Sequence, residues 1–249
     1  MERAQITTRD VKLLEFVAEH RIVLAAHVQV LIGCSAAVAR RRLGALTRAG
    51  ALRRERVYHR HPPCYQITRP GLALIGSRLP SPRLDVRSLE HDVGVAWLWL
   101  MAREGTFGEL RELISERRMR SDDAARRQQD LTGVRLGGLG PRGAPRIHYP
   151  DLLLIDRRRR RLAVELELSS KGRRRREGTL AGYGADPRIA AVLYLTPSET
   201  IARAISTAAE RLGLGGLIHV QSVCPPRGAS APTPALERSR AIDLARETS

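Results

Sequence analysis

The chain has 249 residues, 43% of them hydrophobic but only 4% aromatic, and a formal charge of +17. Such a length holds one large domain or two modest ones, with a core built from Leu, Val, Ala and Ile. The charge far exceeds what solubility needs and points to a polyanionic partner, nucleic acid before an anionic membrane surface, while three scattered cysteines with no CxxC pair exclude a disulfide framework or a thiolate zinc site.

The opening "MERAQITTRD" lacks the apolar core of a secretory signal. Thr7 followed three residues later by Asp10 is a capping pattern, and Val11, Leu14, Val17 and Ala18 then recur at helical spacing. A second helix over "LAAHVQVLIG" stops at Gly33, and Ser35 caps a third, "AAVARRRLGALTRA", stopped by Gly50. Val38, Leu43 and Leu46 of that helix face a core. "ALRRERVYHR" and "CYQITRPG" read as a β-hairpin, with a short helix after it near "GLALIGSRL".

Three helices and a hairpin over residues 1–80 predict a winged helix-turn-helix, with its third helix in the major groove of double-stranded DNA and its hairpin along the backbone. Arg40, Arg41, Arg42 and Arg48 are the expected groove and phosphate contacts, and Arg53, Arg54, Arg56, His59, Arg60 and His61 the expected wing contacts. The same trihelical unit also serves as a protein-binding module, so a homodimer stays open. His59, His61 and Cys64 match no structural zinc pattern with a fourth ligand nearby.

"LPSPRL" reads as a linker to a second, α/β domain over 86–222. Its order begins with a helix at "SLEHDVGVAWLWLMARE", after which "ELRELISERRMR" suits either helix or strand. "SDDAARRQQDLTGVRLGGLGPRGAPR" loses periodicity and reads as a long loop. Strands near 148–156 and 161–168 come next, then a helix between Lys171 and Tyr183, a buried strand "RIAAVLYLT", a helix "PSETIARAISTAAERLG" and a strand "GLIHVQSV". Residues 223–249 read as a disordered tail. The longest apolar runs fall short of a roughly 20-residue membrane span, and a cytoplasmic protein is expected. No GxxxxGK[ST] loop is present, which argues against a nucleotide-driven motor. A relaxase of the His-hydrophobe-His type is disfavoured, because the one His-x-His has Arg60 in its middle.

Chemistry concentrates in "PDLLLIDRRRRRLAVELELSSKG". Glu165 and Glu167 lie two apart on a strand and share a face. A hairpin turning at Arg158 sets Asp151 opposite Glu165, with Cβ atoms about 5 Å apart. Carboxylates so placed repel one another unless a hard divalent cation, Mg²⁺ or Mn²⁺, takes their oxygens as ligands. Asp151 and Glu165 are the candidate metal ligands, and the bound ion would activate water at a phosphate. Asp151, Glu165, Glu167 and Lys171 are the candidate catalytic set. The bland alternative is a solvated strand face partnered by nearby arginines. Arg157–Arg161 and Arg173–Arg176 flank the hairpin and would guide a phosphate backbone towards it. Lys12 and Lys171 are the only lysines, in a composition that GC-rich coding also explains.

The Pro150–Asp151 pair, the "ELE" of Glu165–Glu167 and Lys171 resemble the PD-(D/E)XK nuclease superfamily, whose helix, three strands, helix, strand order is similar to that read here. With the N-terminal segments "TTRDVKLLEFVAEHR" and "RRLGALTRAGALRR", the "LEHDVGV" helix and the hairpin, nearly the whole chain resembles the plasmid replication-relaxation family of bacterial proteins. That resemblance implies a DNA-binding protein of plasmid replication, relaxation or transfer. Its nuclease-like domain departs from the pattern at Glu167, where a catalytic lysine is expected. An active metal-dependent endonuclease and a winged-helix transcription regulator with a non-catalytic second domain are the alternatives.

Overall fold

The computed structural model describes residues 6–58, 61–126 and 131–223, which fold into mixed α/β structure. They form two compact units that divide between Leu100 and Met101. His59, Arg60 and the tail from Cys224 lie outside the described residues.

In the first unit, α1 (Thr8–Glu19) starts from a capping box. The Thr7 side chain receives the Asp10 amide, and the Asp10 carboxylate accepts the Thr7 amide at 2.7 Å. β1 (Val23–Leu24), α2 (Ala25–Ile32) and α3 (Ala36–Arg48) follow, with Gly33 ending α2 in the left-handed conformation. β2 (Leu52–Glu55) pairs antiparallel with β3 (Cys64–Ile67), as the hairpin pattern predicts. Two residues with no strand signature of their own, Val23 and Leu24, add a third strand, also antiparallel to β3.

α4 (Arg69–Leu74) is held against the turn after α3. A Cβ on Gly71 would lie 2.1 Å from the Ala51 carbonyl oxygen, so only glycine permits that approach. Leu13, Phe16, Val17, Leu43, Leu46, Leu52 and Ile67 form the core.

The helix expected to open the second domain, α5 (Leu89–Arg103), packs in the first unit instead. Ala96, Trp97 and Leu100 join its core, Trp97 stacks edge-on against His27 at 4.4 Å, and Arg21 pairs with Asp92 at 3.3 Å. The division therefore falls later than residues 80–86. The linker-like prolines mislead because Leu79 and Pro82 are themselves buried on this unit.

In the second unit, "ELRELISERRMR" supplies both alternatives. β4 (Leu110–Ser115) ends at Ser115, whose hydroxyl accepts the Arg118 amide at 3.1 Å and caps α6 (Glu116–Ala125). The expected long loop is a correction: β5 (Val134–Leu139) and β6 (Pro145–His148) form an antiparallel hairpin there. Its glycines hid it. Gly133 packs where a Cβ would meet Ile147 at 2.5 Å, and the chain before it is pinned by buried Asp123, which accepts the Thr132 amide at 2.8 Å.

The remaining elements are β7 (Leu152–Asp156), β8 (Arg161–Leu166), α7 (Arg173–Gly184), β9 (Ile189–Thr196), α8 (Glu199–Arg211) and β10 (Ile218–Ser222). The sheet order is β10-β9-β8-β7-β4, with β7 antiparallel to both neighbours and β8, β9 and β10 parallel. Buried strands β7 and β9 carry near-continuous apolar runs, as sheets covered on both faces require.

Candidate nucleic-acid interface and acidic cluster

Helical geometry settles which arginines of α3 meet solvent. Ala39, Leu43 and Leu46 are buried on one face, which leaves Arg40, Arg41 and Arg48 exposed on the other. None of these three side chains has a hydrogen bond or ion pair with another described residue. Arg42 differs from its neighbours. Its guanidinium bonds both oxygens of the fully buried Asp10, tying α3 to the capping box of α1. It is a structural arginine, which the run "ARRRL" could not reveal because Asp10 lies 32 residues away.

The hairpin sorts its basic residues the same way. Arg53 Nε donates to the buried Gln66 at 2.9 Å, and its guanidinium also reaches the Pro82 carbonyl at 3.3 Å, so this side chain is committed to the fold. Arg54, Arg56 and His61 are exposed.

In the second unit, the register Leu152↔Val164, carried one residue further, sets Asp151 opposite Glu165, as the hairpin geometry predicts. Asp151, Glu165 and Glu167 are all buried, which removes the solvated-face alternative. Protein donors already meet their charge. Asp151 Oδ2 accepts the Leu166 amide at 2.7 Å. Glu165 Oε1 lies 2.5 Å from His148 Nε2 and accepts the Tyr183 hydroxyl. Glu167 Oε2 pairs with Lys171 Nζ at 2.5 Å.

Burial pushes the Glu165 carboxyl up, but His148, Lys171 and the Tyr183 hydroxyl together hold it below the usual carboxylate range. Glu167 moves the other way. Burial and its neighbours Glu165 and Asp151 raise it despite Lys171. Burial, with Glu165 beside it, raises the Tyr183 phenol well above its ordinary value, which keeps it a donor.

His148 and Tyr183 escaped the sequence reading because His148 ends β6, where the pattern predicts one strand near 148–156, and Tyr183 lies on α7, away from the carboxylate spacing. Mg²⁺ needs near-octahedral oxygen ligation with room for several waters. Glu165 shares one oxygen between two protein donors and Glu167 is turned to an ammonium, so the donor set as placed does not fit that ion. Among the described residues, no group of three or more His, Cys, Asp or Glu is arranged to hold a metal. No described helix is long and apolar enough to cross a membrane. Comparison of the chain with protein-family models, curated proteins and solved structures found no match.

Proposed function

We propose that the protein binds double-stranded DNA through its first unit, acting as a winged helix-turn-helix, in plasmid replication, relaxation or transfer. The observation that carries this reading is the exposed set Arg40, Arg41, Arg48, Arg54 and Arg56, on one helix and one hairpin of a chain with a charge of +17. Arg40 and Arg41 lie about two turns before Arg48, a span that fits a groove-bound helix with flanking phosphate contacts.

The second unit is a PD-(D/E)XK-like domain that no longer cuts. Its acidic cluster is already engaged by His148, Lys171 and Tyr183, where a nuclease would hold Mg²⁺ or Mn²⁺. The convergence of Asp151, Glu165 and Lys171 favours a second reading, an active endonuclease.

Electrophoretic mobility shift of a 30-base-pair duplex tests the first reading. The Arg40→Gln/Arg41→Gln/Arg48→Gln variant should lose most of the shift at physiological salt, and an unchanged shift would reject the interface. Incubating supercoiled plasmid with Mg²⁺ or Mn²⁺ separates the two readings of the second unit. The account predicts no nicking by the wild type, whereas metal-dependent nicking abolished in Asp151→Ala would establish the endonuclease.

A further inference from the structure

α7 and α8 enclose a groove of about 470 Å³ in the second unit, lined by Arg173 and Arg176 from α7 and by Thr200, Arg203, Thr207 and Arg211 from α8. The α8 residues recur at intervals of three and four, so they form one stripe along the helix. Its apolar face, Ile205, Ala208 and Ala209, is buried.

Four guanidinium groups converge on this groove, and the acidic residue placed between them is Glu177, which accepts from Arg173 at 2.9 Å and also from Arg211. One carboxylate against four cations leaves a strong positive excess. The Arg203 side chain has no hydrogen bond or ion pair with another described residue, and Arg176, whose Nη1 donates to the Lys171 carbonyl at 3.1 Å, keeps a buried Nε with no hydrogen-bond partner. The groove also opens beside the N-terminal turn of α7, where Gly172 gives no side-chain cap and the first turn holds no acid. Cations at that end oppose the helix dipole, an arrangement that an anion between the helices would relieve.

We propose that the α7–α8 groove binds the phosphate backbone of duplex DNA, as a second contact surface separate from the arginines of α3 and the β2–β3 hairpin. This rests on the reading that duplex DNA is the partner. Guanidinium forks suit phosphate oxygens better than a single ammonium does, and flanking threonine hydroxyls add neutral donors.

The test is fluorescence anisotropy of the full-length chain with a labelled 30-base-pair duplex, over a salt series. Arg203→Gln and Thr207→Glu sit on exposed positions outside the hydrophobic core, so both variants should fold. Each lost phosphate contact lowers the slope of log K against log salt by about 0.9 and weakens binding several-fold near 0.1 M. Arg203→Gln should show that loss, Thr207→Glu should weaken binding at least as much, and Arg203→Lys should recover most of it. Unchanged affinity and slope in both variants overturn the proposal. It also falls if Arg203→Gln weakens binding of inorganic tripolyphosphate but not of duplex. Arg40→Gln/Arg41→Gln, measured alongside, reports on the first unit alone. If that variant binds like the wild type while Arg203→Gln does not, the α3 interface fails and the groove stands.

Discussion

Replacing Arg42 with Ala separates a structural arginine from a DNA-binding one. The guanidinium bonds both carboxylate oxygens of Asp10, which is fully buried, while the Arg42 side chain is 32% exposed. Breaking a fully buried pair costs about 3–5 kcal/mol, and a surface pair is worth about 0–1 kcal/mol. Arg42 lies between these limits. Asp10 also keeps its bonds from the Thr7 amide at 2.7 Å and hydroxyl at 2.6 Å, which lowers the loss further. A destabilisation of about 2 kcal/mol follows, or a fall in Tm of roughly 8–16 °C for a unit of this size. The chain has two tryptophans, and both Trp97 and Trp99 pack against the first core, so fluorescence follows that unit alone. Below its transition, Arg42→Ala should bind duplex DNA with the salt slope of the wild type. A variant with unchanged stability and a slope lowered by about one contact would refute the structural assignment.

His27 is buried and its Nδ1 accepts the Leu24 amide at 3.0 Å; desolvation lowers its pKa from 6.5 to about 3. The unfolded chain therefore binds a proton that the folded unit refuses between those values. Stability of the first unit is full above pH 6.5 and falls as pH drops towards 3, by about 1.4 kcal/mol per unit at the steepest. Denaturant midpoints read by tryptophan fluorescence should show this loss in the wild type and much less of it in His27→Gln; parallel pH profiles would count against it. Gly182→Ala places a Cβ 2.7 Å from Leu136 and 3.1 Å from the Arg135 carbonyl, so α7 should lose about 1–2 kcal/mol despite alanine's better helix propensity. A gain in thermal stability, followed by circular dichroism, would mean that β5 does not pack on α7. Lys171→Met removes the cation that opposes the upward shift of Glu167, so its carboxyl should titrate higher still by carbon-13 NMR. An unchanged titration would show that Lys171 does not govern the cluster.

Much of the architecture is legible in local pattern. The Thr7–Asp10 box, the Gly33 stop and the Ser35 cap bound the first helices where their spacing predicts, and the register of β7 on β8 follows from centring the turn on Arg158. What stayed hidden depends on partners distant in sequence. β5 lacks apolar alternation because Gly137 and Gly138 interrupt it, and the close approach that positions the hairpin is made by Gly133, just before the strand. α5 reads as the start of a new domain until Trp97 and Trp99 are seen against His27 and Phe16. At the acidic cluster the carboxylates were legible from their two-residue spacing. Their hydrogen-bond partners were not, because His148 and Tyr183 arrive from separate elements.

The salt dependence of duplex binding by the wild-type chain tests the central claim most directly. Five exposed arginines of the first unit, Arg40, Arg41, Arg48, Arg54 and Arg56, each releasing about 0.9 counterion, predict a slope of log K against log salt of about −4 to −5, steeper if the α7–α8 groove also engages. A slope of that size that flattens in Arg40→Gln/Arg41→Gln/Arg48→Gln is the predicted result. A slope near zero, or binding indifferent to those three arginines, would contradict it.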